Sequence, residues 1–218
     1  MNSSIQKARQ AGFSLIEIAI VLVIIGLLLG GVMKGQTMVQ NSKIKRMATD
    51  TQGIQSAINA YSDNYWRLPG DDSQASTRFA MVPGNGDADG IIEGVFEPSD
   101  LTANETALVW NHLRCAELVK GLCVAAATAN VMPRNPVGGT LGIGDGRDPT
   151  PATVLGIAKK VVCMNSIPWS YAEIYDVQND DGVGTSGDIR GSGNGAAANA
   201  GVATAYTADT TIHVCTGF

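Results

Sequence analysis

The sequence predicts an α+β protein, in which a long N-terminal α-helix packs on a small head built around an antiparallel β-sheet. Residues 13–33 are apolar apart from one charged residue, Glu17, and from Ile44 to Tyr65 apolar residues recur at every third or fourth position. Both patterns are typical of a helix. The strands of the sheet are predicted from three short apolar runs, at 154–164, 169–177 and 210–215.

The composition permits a folded head and argues against binding of nucleic acid through bulk charge. Apolar residues make up 44% of the 218 residues, and charged residues only 16%. The net charge is −5, and it becomes −7 without residues 1–12, which contain Lys7 and Arg9. Nucleic-acid binding depends largely on cationic contacts with phosphates, so this acidic chain does not indicate it.

Residues 13–33 predict a membrane-spanning helix. A bilayer core of about 30 Å takes about 20 helical residues, and this segment is apolar on every face apart from Glu17. Two alternatives stay open: a helix buried in a soluble core, and the apolar part of a signal peptide removed after Gly30-Gly31. The helical pattern that continues beyond Met33 favours the membrane span over both.

Beyond the apolar segment the helix is predicted to continue with a single apolar stripe. No proline interrupts residues 13–65, although glycines such as Gly30 and Gly31 are weak points. A stripe on one face is typical of a helix that packs on a domain. The stripe consists of Ile44, Met47, Thr51, Ile54, Ile58, Tyr61 and Tyr65.

In the head, turn residues at 68–72 end the long helix, and residues 102–105 predict a capping box that opens a second helix. Residues 133–152 are predicted as loop, and the stretch 182–201, rich in Gly, Ala and Asn, as a surface excursion. The second helix is expected to bury Leu108, Cys115, Leu118, Val119 and Leu122 and to end at Gly121, and Trp66, Trp110 and Trp169 are expected in the core.

The four cysteines predict two disulfides in an oxidising compartment. No Cys-x-x-Cys is present and the chain has only two histidines, which argues against a metal site. Of the three pairings, we favour Cys115–Cys123, which is local, and Cys163–Cys215, which joins two strand-like runs; free buried thiols are the alternative. Disulfides persist outside the cytoplasm, so we expect the head there, although the basic residues after the span alone favour the opposite orientation.

The N-terminal segment resembles the processing site of type IV prepilins and of the related pseudopilins of type II secretion. The resemblance rests on a short basic leader with Lys7 and Arg9, then Gly12, Phe13 as the first mature residue, and Glu17 as the fifth. It also includes the long apolar helix that becomes amphipathic. The firm resemblance covers residues 1–70, and it implies a leader peptide over 1–12, a helix over 13–66 and a head with the pilin fold over 67–218.

The resemblance implies roles for three residues. A prepilin peptidase would cut between Gly12 and Phe13 and methylate the new amine, and Glu17 would face the amino terminus of a neighbouring subunit during assembly. A carboxylate within a bilayer usually has a partner, and the new ammonium at Phe13 is a suitable one. The alternative is that Glu17 lies at headgroup depth. The chain departs from many family members at Lys34, where they have a proline in the helix.

The resemblance therefore predicts a structural subunit of a type IV pilus or a similar filament, without enzymatic activity. Its expected partners are further copies of itself, minor pilins, the prepilin peptidase and an inner-membrane assembly platform. We expect it in the bacterial inner membrane with its head in the periplasm, and afterwards in an extracellular or periplasmic filament. The alternatives are a pseudopilin of type II secretion and a signal-anchored periplasmic enzyme or receptor.

An acidic loop over residues 83–98 predicts calcium as a candidate ligand, and no other cofactor is required. Asn85, Asp87 and Asp89 alternate with other residues and Gly90 follows the third, which resembles the first half of an EF-hand loop; Glu93 is a candidate for the closing ligand. The closing glutamate is absent, because Phe96 stands there. Asp71 and Asp72 are candidate additional ligands. Plain turn chemistry, which Asn, Asp and Gly dominate, is the alternative interpretation.

No constellation in the sequence indicates catalysis. His112 lies on a predicted helix and His213 in a predicted strand, each without a convergent set of nucleophile and base. The glycine-rich segments lack the Gly-Lys-Ser/Thr of a phosphate-binding loop. Both histidines are therefore expected to have structural roles.

Overall fold

The computed structural model describes residues 12–96, 104–123, 132–148, 154–192, 203–206 and 211–218. The chain divides into two compact units, Met1–Asn41 and Ser42–Phe218. In chain order, the elements are the helices α1 (Leu15–Tyr65), α2 (Ala75–Arg78) and α3 (Glu105–Cys115), strand β1 (Leu141–Asp145), a short 3-10 helix (Val154–Gly156), strand β2 (Lys160–Pro168), helix α4 (Trp169–Asn179), and strands β3 (Ile189–Ser192) and β4 (Thr211–Gly217).

The described part of the first unit is helical from Leu15 onward, and its apolar side chains are exposed. α1 is long and apolar enough to cross a membrane, and its residues 15–39 are all exposed. The helix continues without interruption through Gly30, Gly31 and Gly35. These side chains therefore have no partner within the described part of the chain.

The second part of α1 is amphipathic and belongs to the head. Its buried residues recur with the period of a helix, which confirms the predicted stripe, except that Tyr65 is only half-buried and Ala57 joins the set. The stripe shares one hydrophobic core with Trp110 and Leu113 of α3 and with residues of all four strands. The buried residues of α1 are Ile44, Met47, Thr51, Ile54, Ala57, Ile58 and Tyr61.

The head contains an antiparallel four-stranded sheet with the strand order β1-β2-β4-β3. The predicted α+β class, with a long N-terminal helix and a small antiparallel sheet, is therefore confirmed. β2 and β4 lie in the centre, and Val162, Met164 and Val214 place their side chains in the core that they share with α1. On the other face, Cys163 and Cys215 lie in a smaller cluster with Phe96 and Leu155.

Two disulfides lie in the head, and both are the pairs that the sequence favours. Cys115 at the end of α3 is bonded to Cys123, which closes a short loop. Cys163 and Cys215 are directly opposite each other on β2 and β4, with their Cα atoms 4.0 Å apart. A bond between opposite residues fixes the register of the two central strands, because a slip by one residue would separate them.

Three sequence predictions in the C-terminal half were wrong. Residues 169–179 form helix α4, whose buried residues Ala172, Tyr175 and Asp176 follow a helical spacing. Residues predicted as loop contain β1, and the predicted surface excursion contains β3. β1 is rich in glycine because Phe96 packs on it: a Cβ at Gly142 would lie 2.4 Å from the Phe96 ring.

The second helix is shorter than predicted. α3 ends at Cys115, and neither Gly121 nor Leu122 takes its predicted place, since Leu122 is 77% exposed. The N–H of Glu117 donates to the carbonyl of Arg114, and that of Leu118 to the carbonyl of Leu113. This is a Schellman motif, in which Glu117, with φ 59°, occupies the left-handed position that glycine usually takes. Thr102 of the predicted capping box lies outside the described residues.

Candidate functional site

The start of α1 places Glu17 beside the predicted processing site. Ser14 precedes the first helical residue, Leu15, and its backbone N–H donates to Glu17 Oε2 at 3.1 Å. This contact is one half of a capping box, in which the acidic residue of the first turn satisfies a backbone donor at the helix start. The helix dipole also favours a negative charge at this end. Glu17 is thus held near Gly12 and Phe13 by the geometry of its own helix.

The side chains around Glu17 form a continuous apolar surface. Phe13, Leu15 and Leu27 are more than 70% exposed. Such a surface is stable only in lipid or against other apolar helices, because no described residue covers it. A carboxylate placed in that surface needs a donor or a cation as partner, and the Ser14 N–H satisfies only part of its capacity as an acceptor.

A second cluster of acidic groups lies in the head. Asp71, Asp87 and Glu105 each offer a carboxylate oxygen, and the three oxygens lie within 4.8 Å of one another. Asp71 and Glu105 are buried and Asp87 is exposed. Carboxylate oxygens are the ligands that calcium prefers, so the chemistry of this donor set suits a hard cation.

The acidic cluster also holds the loop in place. Asp71 accepts hydrogen bonds from the N–H groups of Asp89 and Gly90, at 3.1 and 2.9 Å. Glu105 accepts from the N–H groups of Asp87 and Glu93, at 3.2 and 2.9 Å. Burial raises the pKa of Glu105 to about 7, and burial likewise raises the pKa of Asp71. The loop is therefore wrapped around two buried carboxyl groups that come from outside it.

The structure brings together only part of the ligand set predicted from the sequence. Asp87 lies in the cluster, but Asn85 is bonded to Ser76, accepting from its N–H at 2.8 Å and donating to its Oγ at 2.9 Å. Asp89 accepts from the N–H of Ile91 within the loop. Glu93 is exposed, and its backbone N–H rather than its carboxylate contacts Glu105. Calcium binding by this loop stays a prediction.

Sequence reasoning missed Glu105 as a member of the cluster. It was interpreted as the acidic residue of a capping box, and it does lie in the first turn of α3. Its role depends on a long-range approach that the sequence does not encode locally. The tight packing is visible at Gly86, where a Cβ would lie 2.3 Å from the Cα of Asp71.

The turn after α1 is held by a buried polar network. Tyr61 donates its hydroxyl to Asp72 Oδ2 at 2.7 Å, and Arg78 pairs with the same carboxylate. The N–H of Gly70 donates to Nδ1 of His112 at 2.9 Å. Burial lowers the pKa of His112 to about 4, so the ring is neutral at pH 7 and acts as an acceptor. The structural role expected for His112 is thus confirmed.

Together these features define a class of protein: its described residues contain one long apolar helix near the N-terminus, suited to a membrane or to other helices, and an α+β head. Residues 7–33 match the prokaryotic N-terminal methylation motif, the signature of type IV pilins and pseudopilins. The match includes Lys7 and Arg9 of the expected leader, which lie outside the described residues. No curated protein and no solved structure matches the chain. The protein thus carries the pilin-type signature on a pilin-like architecture.

Proposed function

We propose that the protein is a structural subunit of a type IV pilus, assembled through packing of its N-terminal helices. One observation carries this proposal: the methylation motif at 7–33 coincides with the start of an apolar helix whose residues 15–39 are all exposed. An enzyme would need a catalytic constellation, and the groups with shifted pKa values that are described above take part in structural hydrogen bonds. Filament assembly gives the exposed helix a partner.

The proposed assembly begins with a cut between Gly12 and Phe13, which leaves an ammonium group at Phe13. On insertion scales a carboxylate costs about 2.5–3.5 kcal/mol at the centre of a membrane-spanning helix, and this is an upper bound for Glu17, which lies near the start of α1. Pairing with the ammonium of a neighbouring subunit offsets this cost. In the same step Glu17 would exchange its contact with the Ser14 N–H for an intermolecular one. Contacts between apolar helices then replace contacts with lipid.

The proposed location before assembly is the inner membrane, with the head in the periplasm. The two disulfides of the head support this orientation, because such bonds persist in oxidising compartments. The proposed partners are further copies of the chain, minor pilins, a prepilin peptidase and an inner-membrane assembly platform. The prepilin peptidase would supply the amine on which the pairing of Glu17 depends.

Mass spectrometry of fibres sheared from cells tests the proposal. We expect the main protein of the fibres to begin at N-methylated Phe13 and to contain both disulfides. A processed chain that stays in the inner membrane and is absent from surface fibres would instead indicate the pseudopilin of a secretion system. A chain that is never cut after Gly12 would contradict both functions.

Substitution of Glu17 tests the proposed pairing. We expect Glu17→Ala to be processed normally but to reduce surface fibres at least tenfold. Glu17→Gln is the matched control for shape, since it keeps an acceptor for the Ser14 N–H and lacks only the charge. If charge pairing drives assembly, Glu17→Gln should be as defective as Glu17→Ala. Normal fibres from both variants would overturn the pairing.

A further inference from the structure

Trp66 is an exposed aromatic side chain in an unusual backbone conformation. It directly follows α1, its side chain is 88% exposed, and its φ is 54°. Because left-handed conformations are unfavourable for residues with a Cβ, glycine would fit this position better. The sequence predicted Trp66 in the core, and that prediction was wrong. A bulky residue that is both exposed and strained suggests a function that outweighs its effect on stability.

The surroundings of Trp66 carry mainly negative charge. A cavity of about 390 Å³ lies against it and is also lined by Asp63, Ala88 and Gly90. Asp71 lines the same cavity, and the N–H of Asp89 donates to it, while the carboxylate of Asp87 lies within 4.8 Å of that of Asp71. Asp87 and Asp89 are exposed, as is Asp63. Among the described residues, Arg67 is the one cation in the lining of this cavity, and Arg147 donates to the carbonyl of Gly90 at its edge. We call Trp66 with the exposed Asp63, Asp87 and Asp89 the tryptophan knob.

A groove elsewhere on the head has the opposite character. It has a volume of about 430 Å³ and is lined by apolar residues of α1, α3 and the segments around them. Three cations line it, Arg46, Lys120 and Arg134, and all three are exposed. The one acidic residue of the lining, Asp50, is 3.6 Å from the guanidinium of Arg46. The apolar residues of this basic groove are Ile54, Trp110, Leu118, Val119, Pro133 and Leu141.

Gly53 keeps the basic groove open. It is exposed in the interior of α1, where glycine is destabilising relative to alanine. Among the described residues, a Cβ at this position would meet no atom within 4 Å, so they leave free space above the helix. Its φ lies outside the left-handed region, so the backbone does not require glycine here. A large side chain at this position would therefore fill the groove, whereas a methyl group would not.

We propose that the tryptophan knob of one copy of the chain docks in the basic groove of the next copy. The knob offers an aromatic ring with an acidic rim, and the groove an apolar floor with a basic rim, so the surfaces match in both respects. Arginine and lysine also bind favourably over the face of an indole ring, and tryptophan is prominent among the residues that dominate interfaces. Two different surfaces that match each other make a heterologous contact, which repeats along a filament.

This inference rests on the proposed function, since it names the partner of each head as the next subunit of the fibre. Cross-linking tests it directly in fibres of the full chain. We expect the double variant Arg67→Cys with Gly53→Cys, which keeps the indole of Trp66, to give a ladder of disulfide-linked multimers on non-reducing gels after mild oxidation; Arg67 is exposed and lines the same cavity as Trp66. Each single variant should give no ladder, because it carries only half of the contact. Gly53 suits this test because the space around it admits a cysteine.

Two substitutions of Trp66 separate assembly from folding. Trp66→Gly should keep or raise the melting temperature of the head, since glycine tolerates φ 54°, yet it should reduce the yield of sheared fibres at least fivefold. Trp66→Phe keeps an aromatic ring and should retain most of the fibres. Filling the groove with Gly53→Phe should resemble Trp66→Gly, whereas Gly53→Ala should assemble normally.

The outcomes distinguish this inference from the proposed function. If the wild-type chain forms fibres but the double cysteine variant stays monomeric within them, the contact is wrong and the filament function stands. Normal fibres from Trp66→Gly would also overturn the contact. Cross-links from Arg67→Cys to a different protein would assign the knob to another partner and overturn it as well. If the wild-type chain forms no fibre, it is the proposed function that fails.

Discussion

The two halves of α1 belong to one continuous helix but differ in apolar content and in environment. In the first half, Ile24 is 50% exposed, whereas in the second half Ile58 is fully buried. The first half presents apolar residues on all faces, and the second presents them in one stripe. An isoleucine of the same helix is thus packed in the core of the head at position 58 and exposed at position 24.

This difference shows what each half requires. The second half gains its stability from the core that it shares with α3 and the sheet, so it needs nothing outside the head. The first half can bury its surface only in lipid or among neighbouring helices. A continuous helix can therefore serve two environments because the pattern of its apolar residues changes while its backbone does not.

The largest expected effect comes from shortening equivalent isoleucines in the two halves. Ile58→Ala should lower the free energy of unfolding of the head by about 4 kcal/mol, since it leaves a cavity in a closed core. Ile24→Ala should leave that free energy unchanged. Denaturant unfolding of the detergent-solubilised chain, followed by near-UV signals of the head, measures both. Equal effects would mean that the first half also packs on the head.

A pH titration should affect the head through His112. Its pKa is lowered in the folded state to about 4, so below pH 6.5 the unfolded chain takes up a proton that the folded chain does not. The stability that this neutral histidine contributes is present above pH 6.5 and is lost as the pH falls towards 4. The loss amounts to about 3 kcal/mol.

The comparison with His112→Asn isolates this effect, because asparagine keeps an acceptor for the Gly70 N–H but does not titrate. Glu105, with its raised pKa, changes the stability in the opposite direction in the same range, and it does so equally in both proteins. The free energy of unfolding of the wild type should therefore exceed that of His112→Asn by less at pH 4 than at pH 6.5. An advantage that is the same at both pH values would contradict the assignment.

If the acidic loop binds calcium, calcium should stabilise the head and no other part of the chain. At a free calcium concentration one hundred times the dissociation constant, binding adds about 2.7 kcal/mol to the free energy of unfolding. Thermal melts in calcium and in chelator would show this difference. Glu105→Gln should remove the response if the acidic cluster is the site. The side chain of Asn85 is hydrogen-bonded to Ser76 in this structure. Asn85→Ala should therefore remove the calcium response only if the ligand set predicted from the sequence is correct. An unchanged melting temperature in the wild type would exclude calcium.

The smallest expected effect concerns two exposed glycines of α1. Gly53→Ala should raise the free energy of unfolding of the head by about 1 kcal/mol, because alanine is the better helix former. Gly31→Ala should leave the head unchanged, since Gly31 lies in the other unit. The same denaturation experiment compares them. A loss of stability in Gly53→Ala would show that the open space at this position is needed for folding.

The sequence predicted those features that depend on local periodicity. The apolar segment, the stripe of α1 and the fold class follow from the spacing of residues such as Ile44 and Ile58. The disulfides followed from the small number of pairings and from the strand-like character around Cys163 and Cys215. In each case the signal lies in the residues themselves.

The features that were missed depend on tertiary contacts. β1 is buried although two of its residues are glycines, because the Phe96 ring occupies the space above Gly142. α4 was predicted as a strand because its short apolar run fits either period. Glu105 joined the acidic cluster only because α3 lies next to the loop. Trp66 is exposed although tryptophan usually is not, which the composition of a turn does not predict.

The hydrogen bond between Ser14 and Glu17 gives the proposed fibre a reversible character. In a subunit outside the fibre, the carboxylate of Glu17 already accepts a hydrogen bond from the Ser14 N–H. Joining the proposed fibre would therefore exchange one contact for another. A helix cap contributes about 0.5–2 kcal/mol, and a subunit of the proposed fibre would regain this amount on returning to the membrane. In the proposed fibre each subunit would thus have a resting state as well as an assembled one. A filament built on such an exchange can shorten as well as grow without stranding a charge in the bilayer.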